Sequence, residues 1–91
     1  MSDIVVTSTG FRKFHVEINE GDNKNRQYDV TVPEELIREL ELTEDHLTKV
    51  VHQSFTFLLE REPASSIMPQ FSLDVISRYF PDYMETLRKM I

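Results

Sequence analysis

The sequence predicts an α+β domain in which a small antiparallel sheet at the N-terminus packs against three to four helices, with a long central helix around residues 44–61. Three observations carry this. Phe14, Val16 and Ile18 alternate with His15, Glu17 and Asn19, and Tyr28, Val30 and Val32 alternate with Asp29 and Thr31. That is the period of two of a half-buried strand. From residue 33 onward the apolar spacing changes to the helical period. Within residues 47–60, Leu47, Val50, Val51, Phe55, Phe57, Leu58 and Leu59 share an arc of roughly 200° on a helical wheel. An ordinary surface helix has an apolar stripe of only about 100° or a little more, so this one is expected to be packed on two sides. Strands first and helices afterwards is the α+β order. The 91 residues make one domain, 1–91, with strands in 1–32, helices in 33–62, and a loop with C-terminal helices in 63–91.

Element by element, residues 4–7 form a β-branched run that supplies a possible third strand, and Ser8, Thr9 and Gly10 read as a turn. The polar stretch 19–27, with Gly21 and Asp22, joins the two alternating strands as a hairpin with a longer loop. Pro33 is tolerated at the start of a helix, and Glu34 and Glu35 suit its positive end. Leu36, Ile37 and Leu40 give that short helix one apolar face. Thr43 is the expected N-cap of the long helix, and Pro63 ends it. Ser72 is a plausible cap for a helix over residues 73–80, with Phe71 and Ile76 at staple spacing. After Pro81, the segment 82–91 places Tyr83, Met84, Leu87, Met90 and Ile91 on one face and its polar residues on the other.

Composition narrows the function classes. There is no cysteine, which removes disulfides, thiolate metal sites and thiol catalysis. It also favours a cytoplasmic setting, because small extracellular domains often need disulfides. Residues 1–7 lack a basic region followed by an apolar run, and no apolar run approaches the roughly 20 residues of a membrane span. The net charge of −6 is uneven: −1 over residues 1–32, −5 over 33–62 and zero over 63–91. An acidic middle repels phosphate backbones, which supply most non-specific nucleic-acid affinity, and it keeps small domains apart in solution.

Reactive side chains are not gathered. His46 and His52 are six apart, whereas a helical two-histidine metal site needs three or four. His15 lies on the outward side of a strand, so no metal or other cofactor is expected. A calcium loop beginning at Asp22 would have Lys24 as its third residue and Pro33 as its twelfth, where oxygen ligands are needed. No serine sits in a Gly-x-Ser-x-Gly elbow, and the two glycines build no phosphate-cradling loop. Ser54 falls in the apolar arc of the long helix, where its hydroxyl has a carbonyl one turn back to bond. The carboxylates of residues 34–45 form a run expected to be solvated. A non-enzymatic protein follows. Arg61, the charged residue inside the apolar arc, either snorkels from the last helical turn or pairs with a C-terminal carboxylate such as Asp74.

The apolar supply is generous, and the aromatic cluster around Pro81 either packs onto the long helix as core or serves as a contact patch. Tyr79, Phe80, Tyr83, Met84 and Leu87 are therefore the candidate contact residues for a protein partner, either a foreign protein or a second copy of the chain. Residues 28–40 followed by the long helix resemble the ribbon-helix-helix repressors, which have a short strand, a Pro-Glu-Glu-Leu-like helix start and a second amphipathic helix. That resemblance implies a DNA-binding or antitoxin-like dimer as the alternative function. In those repressors the strand pairs between subunits and presents neutral or basic residues outward. Here the outward set is Gln27, Asp29 and Thr31.

Overall fold

The computed structural model describes residues 3–19 and 25–90, the Met90 side chain excepted. Its elements are β1 (Asp3–Gly10), β2 (Lys13–Asn19), β3 (Asn25–Thr31), α1 (Glu34–Leu40), α2 (Glu44–Arg61), β4 (Gln70–Ser72), α3 (Asp74–Tyr79) and α4 (Tyr83–Met90), with one 3-10 turn at Ala64–Ser66. The α+β class and the long central helix are those the sequence predicts. The sheet is mixed rather than purely antiparallel. Its order is β1-β2-β3-β4, with β1 and β3 antiparallel to β2 and β4 parallel to β3. Residues 20–24, where the calcium-loop candidate begins, lie outside the described residues; from Asn25 to Thr31 its span is β3.

Two local expectations at the N-terminus are corrected. The third strand runs through Ser8, Thr9 and Gly10 instead of turning there, and the turn is at Phe11 and Arg12. A register shift between Ser8 and Gly10 absorbs the irregularity, and Arg12 takes the left-handed φ of 57° that reverses the chain. The carbonyl of Arg12 accepts from Val32 N–H at 2.9 Å, which ties the turn to the end of β3.

The sheet buries one face, as its alternation dictates. Phe14, Val16, Ile18, Tyr28, Val30 and Val32 are all in the core. The opposite face carries polar side chains apart from the exposed Val5, with His15 Nδ1 3.1 Å from Asp29 Oδ1 across the β2–β3 pair. Against the apolar face lies α2. On one side its Phe55 ring sits 5.3 Å from Tyr28 and 5.9 Å from Phe71. On the other, Phe57 sits 5.8 Å from Phe80 and 5.3 Å from Tyr83. The wide apolar arc is thus divided between the sheet and the two C-terminal helices.

Helix ends show what caps do without their usual residues. Thr43 holds the extended N-cap conformation, yet its side chain makes no capping bond. At the end of α1, Glu41 takes φ 52°, and the amides of Glu41 and Leu42 bond back to the carbonyls of Arg38 and Ile37. That is the paired-bond helix stop usually built on glycine. The cap expected at Ser72 is displaced. Ser72 belongs to β4, α3 starts from Leu73, and no side chain caps it. Backbone bonds explain the change: Asp29 N–H donates to the Pro69 carbonyl at 2.8 Å, and Leu73 N–H donates to the Thr31 carbonyl at 3.0 Å. These zip residues 70–72 onto the free side of β3, and a strand of three residues carries no visible alternation.

Candidate functional site

The C-terminal third brings together the residues singled out for contact, but it sorts them by burial. Tyr83 is 0% exposed and Leu87 1%, both within the core. Phe80 and Met84 are half-buried against that core. Tyr79 is 70% exposed. A side chain with no exposed surface touches a partner only if the fold opens, so the accessible part of this set narrows to Tyr79 and the outer edges of Phe80 and Met84.

What holds Tyr83 is a short hydroxyl relay. Ser54 Oγ donates to the Val50 carbonyl at 2.7 Å, the back-bond its place on the helix suggests. Its proton being used there, Ser54 accepts from the Tyr83 hydroxyl at 2.6 Å. Burial pushes the Tyr83 phenol above its ordinary 10.0, and the hydrogen bond with Ser54 offsets this only in part. The relay has no base and no solvent access, so it is architecture, not a nucleophile. It predicts an asymmetry. Ser54→Ala leaves the Tyr83 hydroxyl buried without a partner, at about 1–3 kcal/mol, whereas Tyr83→Phe leaves Ser54 satisfied by Val50 and costs about 0.5–1.5 kcal/mol. Urea denaturation of the two variants checks the order. The raised phenol also has a pH signature. Stability from keeping Tyr83 protonated is complete below pH 10 and is lost as pH rises above it, because only the unfolded chain then ionises there. The slope is at most about 1.4 kcal/mol per pH unit. Tyr83→Phe is expected to flatten this alkaline limb.

Arg61 combines both of the roles its position suggested. Its side chain is 29% exposed, its Nη2 donates to Asp82 Oδ2 at 2.8 Å, and its Nη1 donates to the Phe57 carbonyl at 3.3 Å. The guanidinium carbon lies 3.6 Å from the centre of the Phe57 ring. The carboxylate partner is Asp82, not Asp74, which pairs loosely with Arg78 at 3.9 Å. Arg61 therefore pins the end of α2 to the α3–α4 junction, with a cation–π contact added to the ion pair.

Beside this clamp, α2, the 63–69 loop and α3 leave a groove of about 420 Å³, lined by Leu58, Ile67, Met68, Phe71, Val75 and Tyr79 among others. Met68 is 43% exposed at its lip. Met68 and Val75 were missed at the sequence level, although an Ile67-Met68 pair inside a proline-bounded polar loop was the available sign. A second recess of about 610 Å³ lies between the Phe11-Arg12 turn and the start of α2, with Glu34 and Glu44 among its lining. It contains no histidine and pairs no hydroxyl with a base. His46 and His52 are exposed, and among the described residues no group of three or more His, Cys, Asp or Glu is placed to hold a metal ion. Among those residues, too, no helix is long and apolar enough to cross a membrane. The strand on which the ribbon-helix-helix resemblance rests, β3, is internal, with β2 along one side and β4 on part of the other. No family model, no curated protein and no solved structure matches the chain significantly.

Proposed function

We propose that this chain is a non-enzymatic protein-binding module, and that the groove between α2 and α3 receives an apolar side chain or short segment of a partner protein. One observation carries the reading: Tyr79, 70% exposed, and Met68, 43% exposed, stand at the rim of a groove with an apolar floor and with Glu62 and Ser66 as its polar members. Tyrosine and methionine are enriched at protein interfaces, and methionine adapts its shape to varied partners. The groove's volume is within the roughly 300–1,000 Å³ of ordinary binding pockets. The acidic middle of the chain argues against a phosphate-rich partner, and a cytoplasmic setting is inferred from the cysteine-free composition.

The test is comparative capture from the native host's lysate by immobilised wild type, Tyr79→Ser and Met68→Ser. Both positions are exposed, so the variants are expected to fold as the wild type does. A protein held by the wild type and lost by at least tenfold from both variants supports the reading. Equal capture by all three overturns it. In parallel, a low-salt titration with duplex DNA is expected to show no binding, and tight, salt-sensitive binding would favour the repressor-like alternative.

A further inference from the structure

Arg12 combines two unfavourable features. Its backbone holds the left-handed φ of 57°, which glycine adopts freely and a residue with a Cβ does not. Its Nε is shut off from solvent and has no hydrogen-bond partner among the described residues. A desolvated, unpaired donor on a charged group is costly. No carboxylate of the described residues pairs with its guanidinium. The guanidinium carbon lies 5.1 Å from the centre of the neighbouring Phe11 ring, which is 79% exposed. The reversal of the chain at this turn is served better by glycine, so what arginine adds to the position is its side chain. A residue in the left-handed region beside unused donors is a feature of ligand clamps.

Arg12 lines the recess of about 610 Å³ between the turn and the start of α2. Phe14, Ile37, Leu42 and Leu47 give that recess an apolar floor. Two carboxylates also line it. Glu34 is engaged, its Oε1 accepting from Arg38 Nη2 at 2.7 Å. Glu44, on the first turn of α2, has no hydrogen bond or ion pair among the described residues, and it does not reach Arg12 although both line one recess. With the Glu34–Arg38 pair neutral in itself, the lining holds one unpaired cation and one unpaired anion among the described residues.

This combination selects a ligand class. A simple anion that meets Arg12 is repelled by Glu44, and a simple cation meets the reverse. A purely apolar molecule desolvates both charges without pairing either. A molecule with a carboxylate, an ammonium and an apolar body satisfies the whole lining. We propose that the recess binds a free apolar α-amino acid, with its carboxylate on the Arg12 guanidinium, its ammonium on Glu44 and its side chain over the apolar floor. The planar fork of arginine matches a carboxylate with two parallel bonds. The Thr43 hydroxyl, which makes no capping bond, lines the same recess and is a further donor. The volume is within the range of small-molecule pockets, roughly 300–1,000 Å³. The recess shares no lining residue with the α2–α3 groove and does not depend on the reading of that groove.

The test is titration of the purified full chain with L-leucine, followed by amide shifts in NMR. Saturable shifts are expected, largest at Phe11, Arg12 and residues 43–48, with a Kd of about 1 mM or tighter. L-Leucinamide lacks the carboxylate, 4-methylpentanoate lacks the ammonium and glycine lacks the apolar body. Each is expected to bind more weakly by about tenfold or more, the scale of one lost charged hydrogen bond. Arg12→Gln and Glu44→Gln are each expected to weaken L-leucine binding by a similar factor. Glu44 is exposed, so its variant is expected to fold and keeps the test valid if Arg12→Gln does not. The inference is overturned by the absence of saturable shifts with both L-leucine and L-phenylalanine up to about 10 mM. Binding of 4-methylpentanoate or L-leucinamide as tight as that of L-leucine, or unchanged binding by Glu44→Gln, overturns it too. Loss of lysate capture by Tyr79→Ser with L-leucine binding intact, or the reverse with Glu44→Gln, tells failure of the groove reading from failure of this one.

Discussion

Tyr83→Ala is expected to destabilise the fold by about 3–5 kcal/mol, the range for deleting a buried aromatic ring. The ring is 0% exposed, packs edge-on to Phe57 at 5.3 Å, and places its hydroxyl on Ser54. Truncation removes all three interactions and opens a cavity between α2 and α4, the pair of helices that closes the sheet-distal side of the core. A domain of this size has a total stability of only roughly 5–15 kcal/mol, so the loss is a large share. Urea denaturation is the measurement, with a lower midpoint at an unchanged slope as the expected form. A change below about 1 kcal/mol, the ordinary surface response, would place Tyr83 among the free contact residues and would reopen the whole C-terminal face as a docking surface.

Phe55→Ala is expected to cost a similar amount, about 3–5 kcal/mol, with a different local signature. Phe55 is 0% exposed and stands between Tyr28 of β3 and Phe71 of β4. The Tyr28 hydroxyl in turn donates to the Ala64 carbonyl at 2.6 Å, which anchors the loop leading to β4. A strand of three residues depends on such packing, because its few backbone bonds do not hold it alone. Hydrogen exchange is therefore expected to quicken first at the amides of Asp29 and Leu73, which bond across the β3–β4 seam. The β2–β3 amides should keep protection closer to the global value. Uniform loss of protection across the sheet would show instead that β4 and the hairpin open as one unit.

How much of this was legible beforehand depended on the range of the interaction concerned. The alternation of Phe14, Val16 and Ile18 reports burial because a strand's two faces are decided within three residues. The arc from Leu47 to Leu59 reports two-sided packing because a helix exposes its whole circumference to such a count. The back-bond of Ser54 is equally local. By contrast, β4 has no period to detect, Glu41 adopts a left-handed conformation that only the helix stop around it enforces, and the turn at Arg12 is set by the shifted register in which β1 and β2 pair. The partner of Arg61 was readable as an acidic residue of the last third, but choosing Asp82 over Asp74 required knowing how α3 and α4 fold back.

The candidate site shows the same division. Residues 79–87 are recognisably apolar and aromatic from their order alone. Whether each is core or surface is decided by how α3 and α4 pack on the rest of the fold, with Tyr83 and Leu87 of α4 buried and Tyr79 of α3 outside. The groove at Met68 forms where the 63–69 loop and α3 meet over Leu58, which itself stays buried.

By itself, then, the sequence determined the α+β class, the two-sided central helix, the buried face of the sheet and the acidic middle, since each depends on periodicity or composition within one element. Only the tertiary structure decided the mixed sheet, the open β1 edge, the Arg61–Asp82 clamp and the division of the C-terminal aromatics between core and surface. Those features are contacts between elements distant in the chain, and their energies depend on relative placement that no local period encodes.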